Sequence, residues 1–209
     1  YDMASGDRQM LLAYEIEERY MKKLSMQKLS DFLPEGVTDV KELIQPFVRD
    51  LQVTPSRMTL LTQSPMQSKL AMLSDTLVID LKHKSKKGPL YNLIGMSTFL
   101  EKYDCAFQIS QTYTLRDGPE DYYHAFYKVF EAFNVDAGKD RMAEYLGQGS
   151  TIEELEDPNY HGPSDGKIYL TCVLADFSLT QRNAFLRAVR DHYGEEVCKT
   201  VDDKLSGCL

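Results

Sequence analysis

No uncharged run in this 209-residue sequence is long enough to cross a bilayer as a helix. The longest, Gly88 to Leu100, has thirteen residues, against roughly 20 for a transmembrane span. Cysteine is scarce, with four residues and no C-x-x-C pair, which excludes a zinc ribbon or a thioredoxin-type motif. The same scarcity fits an intracellular, reducing compartment. Four histidines lie far apart, with no H-E-x-x-H spacing, so no metal or cofactor site is legible. There is no G-x-S-x-G nucleophile elbow. Gly147-Gln148-Gly149-Ser150-Thr151 lacks the P-loop lysine, and Glu153, Glu154 and Glu156 would repel an anion there. Internal repeats and low-complexity stretches are absent. Excess positive charge is lacking too. The formal net charge is −8, which argues against general nucleic-acid binding.

The first twenty residues carry seven charged side chains and do not resemble a signal peptide. The sequence starts at Tyr1 rather than Met, which leaves a mitochondrial or other organellar compartment open.

What is present is ordinary globular material, 43% hydrophobic and 27% charged, enough to bury a core without disulfides. The charge is uneven. Residues 1–104 hold 14 basic and 14 acidic side chains, and residues 105–209 hold 10 and 18. The densest basic cluster is Lys82-His83-Lys84-Ser85-Lys86-Lys87, a candidate docking loop for an acidic partner, RNA or anionic lipid headgroups. It divides the chain into an N-terminal helical region (1–81), a basic linker (82–89) and an acidic C-terminal helical region (90–209), or one continuous domain.

Helical signals dominate the pattern. Asp7 to Leu29 spaces Leu12, Ile16, Tyr20 and Leu24 on one arc. Thr38 reads as an N-cap before Leu43, Ile44, Phe47, Val48 and Leu51, and Thr54-Pro55 and Ser64-Pro65 read as further starts. Leu90 to Tyr103, Glu120 to Phe133, Arg141 to Leu146, Thr151 to Glu156, Thr180 to Tyr193 and Glu195 to Leu205 complete the helical set. Thr76 to Leu81 and Lys167 to Ala175 fit either a buried strand or a helix, and Ala106 to Leu115 alternates weakly as a strand. The expected fold is therefore mainly α, an irregular multi-helix domain of seven to nine helices with at most a small β element.

The segment from Tyr122 to Phe133 carries Tyr122, Tyr123, Phe126, Tyr127, Phe130 and Phe133 at helical spacing. Phe126 and Phe130 are expected in the core, with Tyr122, Tyr123 and Tyr127 as candidate partner contacts beside Lys82, Lys84, Lys86 and Lys87. The run from Phe126 to Asp136 resembles the entering helix and loop start of an EF-hand, and Asp165-Gly166-Lys167-Ile168 is similar to the middle of such a loop. Counted from Asn134, however, position six is Lys139 and position twelve is Tyr145, so neither the glycine nor the bidentate glutamate is present. The resemblance implies at most a calcium-independent EF-hand-like regulator. A third alternative is a small enzyme whose site converges near His161, with Asp157 and Asp165 beside it. With no nucleotide, metal or nucleophile motif, the leading expectation is a non-enzymatic subunit or scaffold module that contacts other protein subunits. Peripheral membrane contact through residues 82–87 is a secondary expectation.

Overall fold

The computed structural model describes residues 46–53, 58–82, 92–101, 104–148 and 167–206. They form a seven-stranded mixed sheet with five helices. The expectation of a mainly α fold is overturned.

The elements in chain order are β1 (Val48–Val53), β2 (Met58–Thr62), α1 (Pro65–Ala71), β3 (Thr76–Lys82), β4 (Asn92–Leu100) and β5 (Cys105–Thr114). They are followed by α2 (Pro119–Ala137), α3 (Lys139–Gly147), β6 (Cys172–Ala175), α4 (Leu179–Tyr193), α5 (Glu195–Asp203) and the two-residue β7 (Leu205–Ser206). The sheet runs β1-β2-β5-β4-β3-β6-β7. Its pairs are antiparallel from β1 through β3, and β6 and β7 join in parallel. One sheet thus takes strands from both sides of residues 83–91.

Three expected helical stretches are strands, and the reason is shared. The nine residues of β4 are uncharged, and an apolar run of that length satisfies a strand and a buried helix equally. Pairing decides: Ile94 faces Leu81 and Thr112, and Met96 faces Ile79 and Ser110. Val48 and Leu51 fit helical spacing, but Val48–Val53 pairs with Met58–Thr62 through a β-bulge between Val48 and Asp50. Met58–Thr62, beyond the expected helix start at Thr54-Pro55, carries the β-branched Thr59 and Thr62 into the ladder.

Other local expectations agree with the structure. Ser64 caps α1 with a full capping box to Gln67, and Pro65 sits in the first turn. The α2 helix, with Gly118 as its N-cap residue, has no side-chain cap. Gly138 and Gly194 end α2 and α4 at φ +88° and +92°, a region disfavoured for residues with a Cβ. The segments Asp7 to Leu29 and Thr151 to Glu156 lie outside the described residues.

β5, β3 and β6 run in the same direction, so the β5-to-β6 and β6-to-β7 connections are parallel crossovers moving toward the same edge. The right-handed rule then places their helices on one face of the sheet. The core lies between that face and the helices. Leu77, Ile79, Ile94, Met96, Ile109 and Val173 from the strands meet Phe126, Val129, Phe130, Phe133, Phe185 and Val189 from α2 and α4. The opposite face carries Val78, Asp80, Lys82, Ser97, Phe99, Gln108 and Leu174, all half-buried or exposed.

Candidate functional site: the carboxyl ends of the central parallel strands

The β3–β6 pair is where the topology divides. The chain leaves β3 toward one edge, into β4, and leaves β6 toward the other, through α4 into β7. The register matches Leu77 with Val173, Val78 with Leu174 and Ile79 with Ala175. The next residue on β3 is Asp80, and the next after β6 is Asp176. The ladder ends at Ile79 and Ala175, and the two carboxylates beyond it border different cavities. Alternation explains their exposure, since Ile79 and Ala175 are buried and Asp80 and Asp176 are exposed.

Asp80 has a cation beside it already. Lys82 lies two residues on, on the same face, with Nζ 3.5 Å from Asp80 Oδ2. A shallow hollow of about 240 Å³ adjoins the pair, bordered by Gly95, Ser97 and Gln108. On the other side, Asp176 borders an open cleft of about 500 Å³ with Asp117, Tyr122, Ser178 and Gln181. Two aspartates suit a hard divalent cation such as Mg²⁺, which takes one or two carboxylates and fills its octahedron with water and substrate oxygens. Among the described residues, no three of His, Cys, Asp and Glu converge as a metal cage.

The residues singled out from the sequence are distributed differently. Lys82 lies at the site. Lys84, Lys86 and Lys87 follow it outside the described residues, as do Asp157, His161 and Asp165. Tyr122 is in the core at 2% exposure, and burial raises its pKa. The Tyr123 hydroxyl donates to Asp191 at 2.8 Å, and the Arg187 guanidinium lies 3.9 Å from its ring centre. Tyr127 stacks on His192 at 4.1 Å between ring centres. The EF-hand-like stretch is not a loop: Asn134–Ala137 ends α2 and Lys139–Gly147 is α3. Its Asp136 carboxylate accepts from Arg49 and Ser68.

Asp80 and Asp176 stand in no sequence motif. The available signal was a carboxylate closing each of two apolar runs, Thr76-Leu77-Val78-Ile79-Asp80 and Cys172-Val173-Leu174-Ala175-Asp176.

Two buried titratable groups away from this end serve the fold. Lys204 donates to the carbonyls of Leu146 and Gln148 where α3 ends, and burial pulls its pKa down to about 8. His192 bridges the Tyr127 carbonyl and Asn134, and burial lowers its pKa.

Among the described residues no helix is long and apolar enough to cross a membrane. No protein family, no curated protein and no solved structure matches the chain.

Proposed function

We propose that this chain is a divalent-cation-dependent phosphoryl-transfer domain whose substrate is a phosphodiester, with Asp80 and Asp176 holding the cation. The observation that supports the reading is the β3–β6 register, which pairs Ile79 with Ala175, the residues just before Asp80 and Asp176. A cation there would polarise the phosphoryl oxygens and activate a bound water. The water oxygen attacks phosphorus and loses a proton to solvent, while the bond to the leaving oxygen breaks and that oxygen takes up a proton. Lys82 lies 3.5 Å from Asp80, and three more lysines follow it in the sequence, which supports a polyanionic substrate. The net charge of −8 is compatible with this, because the cation supplies the local positive charge that the chain as a whole lacks. The three described cysteines are free thiols, which supports an intracellular, reducing compartment.

The test is binding of Mn²⁺, a paramagnetic stand-in for Mg²⁺, followed by loss of its free electron-spin-resonance signal. With two carboxylates as the protein's ligands, the expected dissociation constant is on the order of 10⁻⁴–10⁻³ M, the weak end of oxygen-ligand cation sites. Asp80→Asn and Asp176→Asn should each abolish the binding. Retention of full Mn²⁺ binding by both variants would sink the reading.

A second reading, the non-enzymatic subunit, is favoured by Phe99 and Leu174, which are 43% and 44% exposed on the sheet face away from the helices. It predicts that the protein migrates in native extract with a partner, and that Phe99→Ser releases it.

A further inference from the structure

We propose that the outward face of β1, β2, β5 and β4 is the docking site of the chain's own segment Asp7 to Leu29, which lies outside the described residues, and that the segment packs there as an amphipathic helix on an apolar patch. The inference stands apart from the cation reading, because it uses neither Asp80 nor Asp176.

The register lays the patch out. Leu51 on β1 pairs with Leu60 on β2, Leu60 with Tyr113 on β5, and Tyr113 with Leu93 on β4. Directly paired residues share a face, so these four form one row across four strands. Their sequence neighbours Leu61, Thr112 and Ile94 are buried, and Leu61 and Ile94 belong to the core under the helices, which puts the row on the other face. Met58 and Leu115 extend it. The Leu115 N–H donates to the Met58 carbonyl, and each stands two residues from a member of the row, on the same face. All six are half-buried or exposed. A sheet face left to water is normally polar, and the next row here does contain Thr62, Gln111 and Asp80 around Gly95. The Tyr113 hydroxyl donates to Gln111 at 3.0 Å, so its polar tip is already satisfied on this border. A contiguous apolar patch with a polar rim is the mark of a surface that meets another surface.

Sequence pattern and tether select the occupant. At about 100° per residue, Leu12, Ile16, Tyr20 and Leu24 fall on one arc of the segment, while Glu15, Glu18, Arg19 and Lys22 lie largely opposite. A helix of that pattern gains most of its stability by packing its apolar stripe rather than from propensity. The four anchors would span about 18 Å of helix, and four strands span about 14 Å from first to last, so stripe and patch match in size. The other face of the sheet is already filled by α2 and α4. Residues 30–47 separate the segment from β1, and β1 is the outer strand of the patch itself. Fully extended, that connection reaches about 60 Å, ample to lay the segment back over the patch. A segment tethered so close meets its site at an effective concentration on the order of millimolar, which a separate partner would have to match in solution.

The experiment follows amide hydrogen exchange and hydroxyl-radical oxidation in the whole chain. In wild type the amides of residues 12–24 should exchange about a hundredfold more slowly than in Ile16→Asp, which puts a charge in the middle of the stripe. The same substitution should raise oxidation of Met58 and Tyr113 several-fold, while β3 and α2 keep their wild-type protection. Leu60→Gln, made on the patch, should likewise free residues 12–24. Glu18→Gln, on the polar side of the segment, should change neither readout. Wild-type amides 12–24 exchanging at the unprotected rate overturn the inference. Loss of their protection in Ile16→Asp without any rise at Met58 and Tyr113 also overturns it, by seating the segment elsewhere. A wild-type dimer in sedimentation that Leu60→Gln dissociates, with residues 12–24 unprotected in both proteins, gives the patch to a second copy and overturns it as well. If Leu60→Gln lowers protection throughout the sheet, Ile16→Asp, which leaves every strand residue in place, decides alone.

Discussion

His192 shows what a single side chain settles in this fold. Its ring lies against Tyr127, Phe130 and Tyr193, at centroid distances of 4.1, 6.1 and 5.6 Å. Nε2 donates to the Tyr127 carbonyl, so the neutral ring presents Nδ1 as acceptor for the Asn134 amide. Asn134 Oδ1 in turn accepts from the Tyr193 hydroxyl. Burial is the main cause that holds the His192 pKa below its ordinary value of about 6.5. The folded state therefore resists protonation more than the unfolded chain does. Stability is full above pH 6.5 and falls as pH drops below it toward the lowered folded value. His192→Gln, neutral throughout, should remove this part of the acid dependence. The check is the thermal midpoint of both proteins from pH 7.5 to 5: wild type should lose more than the variant. Parallel curves would mean that His192 titrates as it does in the unfolded chain.

At the scale of an element, α2 joins the two layers. Its buried face, Tyr122, Ala125, Phe126, Val129, Phe130, Ala132 and Phe133, follows the helical period that the sequence displays. Phe126 is fully buried, edge-on to Phe185 at 5.2 Å and Phe177 at 5.8 Å. Phe126→Ala should cost about 3–5 kcal/mol, the transfer term plus an unfilled cavity. Tyr123→Ala, on the flank of the helix beneath Arg187, should cost well under that, since exposed pairs and cation–π contacts contribute about 1 kcal/mol or less. Denaturant unfolding of both variants checks the order; equal costs would contradict this assignment of faces. The helix face was legible because a 3.6-residue period needs no partner to be recognised. The strands β1, β2 and β4 were not legible, because an uncharged run or a few well-spaced aliphatics carry no mark of what they will pair with.

At the scale of the molecule, a buried polar cluster ties the edge of the sheet to the helical layer. Arg49 on β1 meets Asp136 at the end of α2, with side-chain exposures of 7% and 4%. Ser68 on α1 donates to the same carboxylate, and Arg49 Nε donates to the Gln63 carbonyl. His124 and Asp50 form a second contact between α2 and β1 at 3.0 Å. A buried pair of this kind is costly to break from one side, because the remaining charge stays desolvated. Asp136→Asn should destabilise by about 3–5 kcal/mol, and Arg49→Met in the same chain should recover much of it. Urea unfolding of the two singles and the double gives the coupling; simple additivity would show that the pair does not act as a unit.

Local physics was readable in one dimension. The helix start at Ser64-Pro65, the end of α4 before Gly194 and the buried stripe of α2 each depend on residues a few positions apart. Sheet order and the candidate site did not have that property. Asp80 and Asp176 are 96 positions apart and look like ordinary strand-end carboxylates until parallel pairing sets Ile79 against Ala175. Gly95 and Gln108 become neighbours only through the β4–β5 ladder and its bulge between Met96 and Ser97. A strand's partner is chosen by the whole core that pairing buries, not by its own residues, so only the tertiary structure decided which strands lie side by side.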